Sequence, residues 1–223
     1  MKIAEKLPVR RTDGQATEKR ILVHAEELFS VYGYDGVSLR KITGKAGVDL
    51  ALIKYYFGSK EGLFRAVLIG RIDAMSKQRL VGLAKTKIVT GSQATIEELL
   101  TVFVQPMIGD DAAQIEELRN YRLLVALVTN SKIWQHEVFQ KHYDPVSLKF
   151  IEALGQTLPD VAYRDICWAF SFFLGSLVNA FAETRRVDRL SQGVCQSTDL
   201  YEIRDQLVQY TTAALLNLPK GKS

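Results

Sequence analysis

The 223-residue chain has little of what several function classes require. It has two cysteines, Cys167 and Cys195, too few for a disulfide framework, and no C-x-x-C spacing that would hold zinc. Both thiols are expected to be reduced, the usual state inside a cell. His136 and His142 lie six apart with no third ligand nearby, so neither a metal site nor any other cofactor is expected. No run of about 18 consecutive apolar residues occurs, which argues against a membrane span. The first residues, M-K-I-A-E-K-L-P-V-R-R, carry charges where a secretory leader needs an apolar stretch, so a cytoplasmic location is expected. The chain lacks G-x-S-x-G, a Walker loop, G-x-G-x-x-G after a strand and H-E-x-x-H, and no enzyme is expected. Gly175-Ser176-Leu177 lies in an apolar helical stretch without a base nearby in sequence. Runs of alternating β-branched residues between turn signals are missing too, and with them any reason to expect a sheet. There is no internal repeat and no low-complexity segment.

What is present is apolar and helical. Hydrophobic residues make up 47% of the chain, enough for a sizeable core. The net charge of +4 is unevenly spread. Residues 1–65 hold twelve Lys/Arg against eight Asp/Glu, and residues 66–223 hold seventeen of each. The whole positive excess therefore lies at the front, where it would attract phosphates.

Residues 1–15, with Pro8, Gly14 and the pair Arg10-Arg11, show no helical period and suggest a flexible basic arm. Two tasks are open for Arg10 and Arg11: entering a minor groove or lying along phosphates, or forming a solvated tail. Lys19 and Arg20 are better placed for backbone contact. Thr17 is a candidate N-cap, and behind it Ile21, Ala25, Leu28, Phe29 and Tyr32 share one helical face. Gly33 supplies a left-handed position at the C terminus of that helix. Ser38 caps a short second helix with Ile42 and Ala46 inward. Gly47 permits a turn, and Asp49 caps a third helix with Ile53 and Phe57 inward. Gly58 breaks it, and Ser59 starts a fourth. Further helices are expected near 60–85, 95–108, 113–131, 133–155, 160–187 and 199–217, separated by Gly, Pro and Ser breaks. The expected division is a helix-turn-helix domain over 16–62 and a helical body over 63–223.

Two short helices around a tight turn are how a protein presents a helix to the DNA major groove. The pattern resembles the TetR family of bacterial transcriptional regulators over about residues 17–68. The matching features are Gly33-Tyr34, Val37-Ser38-Leu39, Ala46-Gly47-Val48, Tyr55-Tyr56-Phe57 and Ser59-Lys60-Glu61. The string from Leu50 to Lys60 is also similar to a branch that contains regulators of fatty-acid metabolism. The resemblance implies an all-α fold: an N-terminal three-helix DNA-binding head, then a larger helical domain for ligand binding and dimerisation.

Residue chemistry supports DNA binding by the head. Ser38 can offer a hydroxyl and helix N-terminal N–H groups to a phosphate. Arg40 points outward if Ile42 points inward, towards a guanine edge or a phosphate, and Lys41 stays near the backbone. Leu50, Ala51 and Lys54 share the outward face of the third helix. The first two suit thymine methyls, and Lys54 suits a guanine or a phosphate. Many family members carry an aromatic residue where Lys54 stands, which leaves base preference open. The resemblance assigns Tyr55, Tyr56 and Lys60 to phosphates, although Tyr55 or Tyr56 could instead be half-buried core.

In the body, the aromatics between 113 and 187 are either ordinary core or the lining of an apolar cavity with a few orienting polar groups. Trp134, Trp168 and Phe172 are candidate lining residues, and Arg122, Asn130, His136 and Asn179 candidate polar groups. Arg122 lies between Tyr121 and Leu123, so it needs a carboxylate from the protein or from a ligand. In TetR-like proteins the last two helices pair with their mates. Here the stretches near 160–187 and 199–217 are apolar enough to do so. The expectation is a ligand-responsive repressor: a homodimer on a near-palindromic double-stranded DNA operator, released by a small apolar or acyl effector. The alternative is a small-molecule binding protein whose head is vestigial.

Overall fold

The computed structural model describes residues 10–89, 94–129 and 131–221. They are helical, apart from connecting turns and one isolated bridge between Val161 and Lys220. The chain divides into two compact units between Leu68 and Ile69.

The first unit contains α1 (Arg10–Tyr32), α2 (Leu39–Ala46), α3 (Leu50–Phe57) and the start of α4 (Lys60–Val89). Ile21, Ala25, Leu28 and Phe29 of α1 are buried with Ile42 and Ala46 of α2, Ile53 of α3, and Leu63, Phe64, Val67 and Leu68 of α4. Phe29 meets Phe64 edge-on at 4.8 Å, and Tyr34 meets Phe64 at 5.1 Å. Each buried Phe is worth about 1.5–3 kcal/mol, so this trio anchors the head. Because the first turns of α4 complete this core, the units divide later than the expected boundary at residue 62. Local chemistry sets the turns. Ser38 Oγ accepts the Lys41 N–H, Gly47 takes φ 61° after α2, and Asp49 accepts the Ala51 N–H at 2.7 Å. Of the two residues expected inward on α3, Ile53 is fully buried and Phe57 only half-buried.

The second unit holds the rest of α4, then α5 (Ile96–Ile108), α6 (Ala112–Glu117), α7 (Arg119–Val128) and α8 (Lys132–Trp134). A π-helical stretch (Gln135–Tyr143), α9 (Asp144–Thr157), α10 (Tyr163–Phe181), α11 (Arg186–Leu190) and α12 (Leu200–Leu216) follow. Phe103 of α5 is the hub of the core, with Phe150, Phe170 and Phe173 at 5.0, 5.2 and 5.7 Å. Thr95 and Glu98 form a reciprocal capping box at the start of α5. Gly82 lets α4 approach α5, since a Cβ there would stand 2.6 Å from Val102 Cγ1.

Several expected boundaries shift for physical reasons. Helix α1 begins at Arg10, so residues 10–15 of the expected arm belong to it, while 1–9 lie outside the described residues. Extending a nucleated helix adds one hydrogen bond per residue fixed, so Thr17 need not end it. The stretch near 113–131 is broken at Leu118 (φ −84°, ψ −7°) into α6 and α7. The stretch near 133–155 opens into the π-helical turn before Pro145, which has no N–H for the regular ladder. The stretch near 160–187 stops at Phe181, because Glu183 and Arg185 take positive φ. A bidentate Arg119 guanidinium holds the Glu183 carboxylate at 2.8–3.2 Å, consistent with that backbone being fixed from outside the helix.

Candidate functional site

The head presents one coherent outward face. Ser38, Arg40 and Lys41 lie exposed at the start of α2, and Leu50, Ala51, Lys54 and Tyr55 lie exposed along α3. Tyr55 is 80% exposed, which removes it from the core. Tyr56 is half-buried, sits edge-on to Tyr55 at 5.0 Å, and its hydroxyl lies beside Gly14 of α1. Tyr56 is thus part packing residue and part candidate phosphate donor. The Ser38 hydroxyl accepts the Lys41 N–H at 3.2 Å and keeps its own hydrogen to donate.

Two of the cations are held by rings, Tyr32 and Tyr34, that nothing in the sequence pairs with them. The Lys41 ammonium lies 3.3 Å from the Tyr32 ring centroid, and the Lys60 ammonium lies 4.3 Å from that of Tyr34. Exposed contacts of this kind are worth about 0.5–1 kcal/mol, enough to bias rotamers. By contrast, Arg40 and Lys54 have no side-chain partner among the described residues. Lys45, also unassigned from sequence, pairs with Glu27, whose other oxygen is 3.6 Å from His24 Nδ1. This Lys45 hydrogen bond is the main cause holding the Glu27 carboxyl below its ordinary value.

In the body the expected ligand residues do not converge. Arg122 is 3% exposed, but its guanidinium donates to Met107 O at 3.0 Å and Ile115 O at 2.7 Å. The expected carboxylate partner is replaced by backbone carbonyls near the ends of α5 and α6, where a helix has no N–H of its own to offer. Burial pushes this guanidinium down to about 10, still charged at neutral pH. Trp168 and Phe172, expected to line a cavity, are 58% and 66% exposed and stack on each other at 5.7 Å. They stand at i and i+4 on the outer face of α10, whereas Ile166, Phe170, Phe173 and Leu177 form its buried face. Trp134 is buried. Asn130 lies outside the described residues, and so does the side chain of His136. Asn179 does reach cavities: it borders one of about 500 Å³ near α7 and α9 and one of about 420 Å³ near α11 and α12.

The 500 Å³ cavity is lined mainly by apolar side chains, among them Met107, Val125, Phe139, Leu174 and Val178, with Thr129, Tyr143, Asp144, Ser171 and Asn179 as polar groups. Burial raises the Asp144 carboxyl. A larger cleft of about 640 Å³ near α4, α5 and α6 is half polar and carries Arg71, Lys85, Asp110 and Glu117. An apolar molecule would fit the 500 or the 420 Å³ cavity better than the larger cleft, where solvated charges would have to give up water.

Residues 21–67 match the family described as bacterial regulatory proteins, tetR family, and residues 101–214 match the family described as tetracyclin repressor-like, C-terminal domain. The chain belongs to the TetR family. Members of this family, including the relatives below, are helix-turn-helix transcriptional regulators. The HTH-type transcriptional dual regulator CecR of Shigella flexneri is 28% identical over 159 residues, 70% of this chain and 59% of CecR. The HTH-type transcriptional regulator RutR of Escherichia coli (strain K12) is 45% identical over 58 residues, 26% of this chain and 27% of RutR. This chain therefore spans 59% and 27% of the lengths of these two relatives. Solved structures share the TetR fold. A TetR-family regulator from Shewanella sp. PV-4 superposes with TM-score 0.63 at 16% identity, covering 89% of this chain and 97% of the other. The fatty acid degradation regulator FadR from Bacillus halodurans gives 0.60 at 16% identity, covering 96% and 97%. No helix among the described residues is long and apolar enough to cross a membrane.

Proposed function

We propose that this TetR-family regulator is a cytoplasmic repressor that binds a near-palindromic operator as a homodimer and is released by a small apolar or acyl effector. The observation that carries the reading is the outward face of α2 and α3. Among the described residues, Arg40 and Lys54 have no side-chain partner beside Leu50, Ala51 and Tyr55, while Lys41 and Lys60 are held on rings. Free cations next to short apolar side chains are what base-edge recognition requires, and tethered cations suit phosphates. Ser38 and Tyr56 add hydroxyl donors.

Pairing is assigned to α10 and α12. Tyr163, Trp168 and Phe172 on the first and Tyr201, Tyr210 and Leu216 on the second are exposed apolar side chains. Large exposed apolar patches mark interaction surfaces. A two-fold pair would offer two heads to successive major grooves.

The effector is assigned to the 500 Å³ cavity. It lowers DNA affinity only by its differential binding to the two states; a hundredfold release needs about 2.7 kcal/mol of such difference.

The test is selection from a pool of random duplexes at fixed salt, comparing the wild type with Lys54→Ala. The expected outcome is a two-fold symmetric site, relaxed at one base position per half in the variant. Absence of enrichment above salt-sensitive background would sink the repressor reading.

A further inference from the structure

Arg79 is a buried cation whose charge neither the core nor the DNA-binding face neutralises among the described residues. It stands on α4 in the stripe formed by Ile72, Met75, Ser76 and Leu83, at helical spacing and on the buried side. It is 1% exposed. Its Nε donates to Phe103 O at 2.7 Å. Its guanidinium carbon lies 4.1 Å from the Phe103 ring centroid and 5.0 Å from that of Tyr143. Backbone bond and rings fix the guanidinium plane but supply no counter-charge. Among the described residues its buried Nη2 has no hydrogen-bond partner, and no carboxylate pairs with it. A cation taken out of water without an anion is costly, and keeping one in a dry core calls for a partner from elsewhere.

Tyr143 connects this cation to the cavity assigned to the effector. It is the last residue of the π-helical stretch, its ring stands over Arg79, and it also lines the 500 Å³ cavity. Arg79 does not itself line the cavity, so the Tyr143 ring, at the end of a π-helical turn of the kind frequent at functional sites, must turn aside for a ligand to reach the guanidinium. Ser76, one turn before Arg79 on the same face of α4, has its hydroxyl 3.5 Å from His142 O, a long bond easily exchanged for a better acceptor.

We infer that Arg79 receives the carboxylate of a small, otherwise apolar acid whose hydrocarbon part fills the cavity lined by Met107, Val125, Phe139, Leu174 and Val178. The inference rests on the effector reading above and adds the chemical class. One guanidinium between two neutral rings matches a monoanion; a phosphate dianion would call for more than one cation. Asp144 borders the same cavity, and burial raises its carboxyl above the ordinary value.

The test uses the full-length protein and two matched probe pairs, octanoate with 1-octanol and phenylacetate with 2-phenylethanol. Binding is followed by calorimetry and operator release by fluorescence anisotropy. The wild type is expected to bind at least one acid at least about tenfold more tightly than its alcohol. Arg79→Met is expected to lose that preference while still binding the alcohol, which shows that the cavity is intact. The variant without ligand is expected to melt no lower than the wild type, because Met replaces an unpaired buried cation. Equal binding of acid and alcohol by the wild type, no binding of either pair, or an acid preference retained in Arg79→Met would each overturn the anion site. Lower melting with unchanged acid preference would give Arg79 a purely structural task and overturn it as well. If the acid binds through Arg79 but leaves operator affinity unchanged, the site stands and the effector reading fails. If the alcohol releases DNA as well as the acid, the reverse holds.

Discussion

The Lys41 ammonium rests 3.3 Å from the Tyr32 ring centroid, tying the first turn of α2 to the last residue of α1. This contact restricts a long side chain that would otherwise lose about 2 kcal/mol of rotamer entropy on meeting a phosphate. Removing the cation and removing its platform should therefore differ. Lys41→Ala is expected to weaken DNA binding and to reduce the slope of log affinity against log salt by about one. Tyr32→Leu should weaken binding a few-fold while leaving the slope unchanged, and Tyr32→Phe should do neither. Anisotropy titrations across a salt series check all three. An unchanged slope in Lys41→Ala would remove Lys41 from the phosphate contacts.

Arg122 gives a stability prediction that also separates structure from ligand binding. Arg122→Ala removes two charge-assisted bonds, leaves Met107 O and Ile115 O without that donor, and opens a space at 3% exposure. The expected cost is about 2–4 kcal/mol. Arg122→Met should cost less, because it fills most of the volume. Both variants should keep the wild-type ranking of effector probes, because the guanidinium is fully engaged by carbonyls. Chemical denaturation followed by Trp134 and Trp168 fluorescence, together with probe binding, measures both effects. A lost ranking with unchanged stability would return Arg122 to the ligand site.

The two residues just discussed show what a sequence reader could and could not see. The head was legible because its turns are local chemistry: Ser38, Gly47 and Asp49 act within three residues of themselves, and the charge excess is a simple count. The body was legible as helices but not as a site. Whether Trp168 points in or out depends on the phase of α10 against α5 and α12, and composition does not set that phase. A buried Arg looks the same in sequence whether carbonyls take both of its Nη groups, as at Arg122, or its Nη2 is left without a partner among the described residues, as at Arg79. Arg79 did leave a trace: it is the charged residue in the otherwise buried spacing Ile72, Met75, Arg79, Leu83. The break at Leu118 comes from tertiary packing and carries no strong local signal, whereas Pro145 marks the π-helical turn in the sequence itself.

Glu27 contributes a pH dependence to the head. The Lys45 hydrogen bond is the largest cause lowering its carboxyl below the ordinary 4.5; burial opposes it, and the charges of Lys45 and His24 assist. A carboxyl lowered in the folded state adds stability that is present above the unfolded value and disappears as pH falls through the folded one. The contribution should therefore be complete above about 4.5 and fade below it. Lys45→Ala should return the Glu27 titration midpoint, followed by the carboxyl carbon shift in NMR, towards the ordinary value. It should also flatten the acid loss of head stability. A Glu27 midpoint unmoved by that substitution would remove Lys45 as the cause.

The pairing face offers its own reporter. Trp168 and Phe172 stack on the exposed side of α10, so a charge there meets water in a lone chain and the partner in a dimer. Phe172→Glu is therefore expected to leave each chain folded, since exposed substitutions away from special features change stability by little. Two Glu side chains brought close to a two-fold axis repel and are stripped of water, so the dimer should dissociate. Sedimentation should then give monomers, and acrylamide should quench Trp168 more strongly than in the wild type. Because one head on one half-site forgoes the effective concentration of two, operator affinity should fall by a factor on the order of 10²–10⁴. Tyr210→Glu on α12 should act in the same direction. Dimers that persist in both variants, with Trp168 quenching unchanged, would move the pairing surface away from α10 and α12.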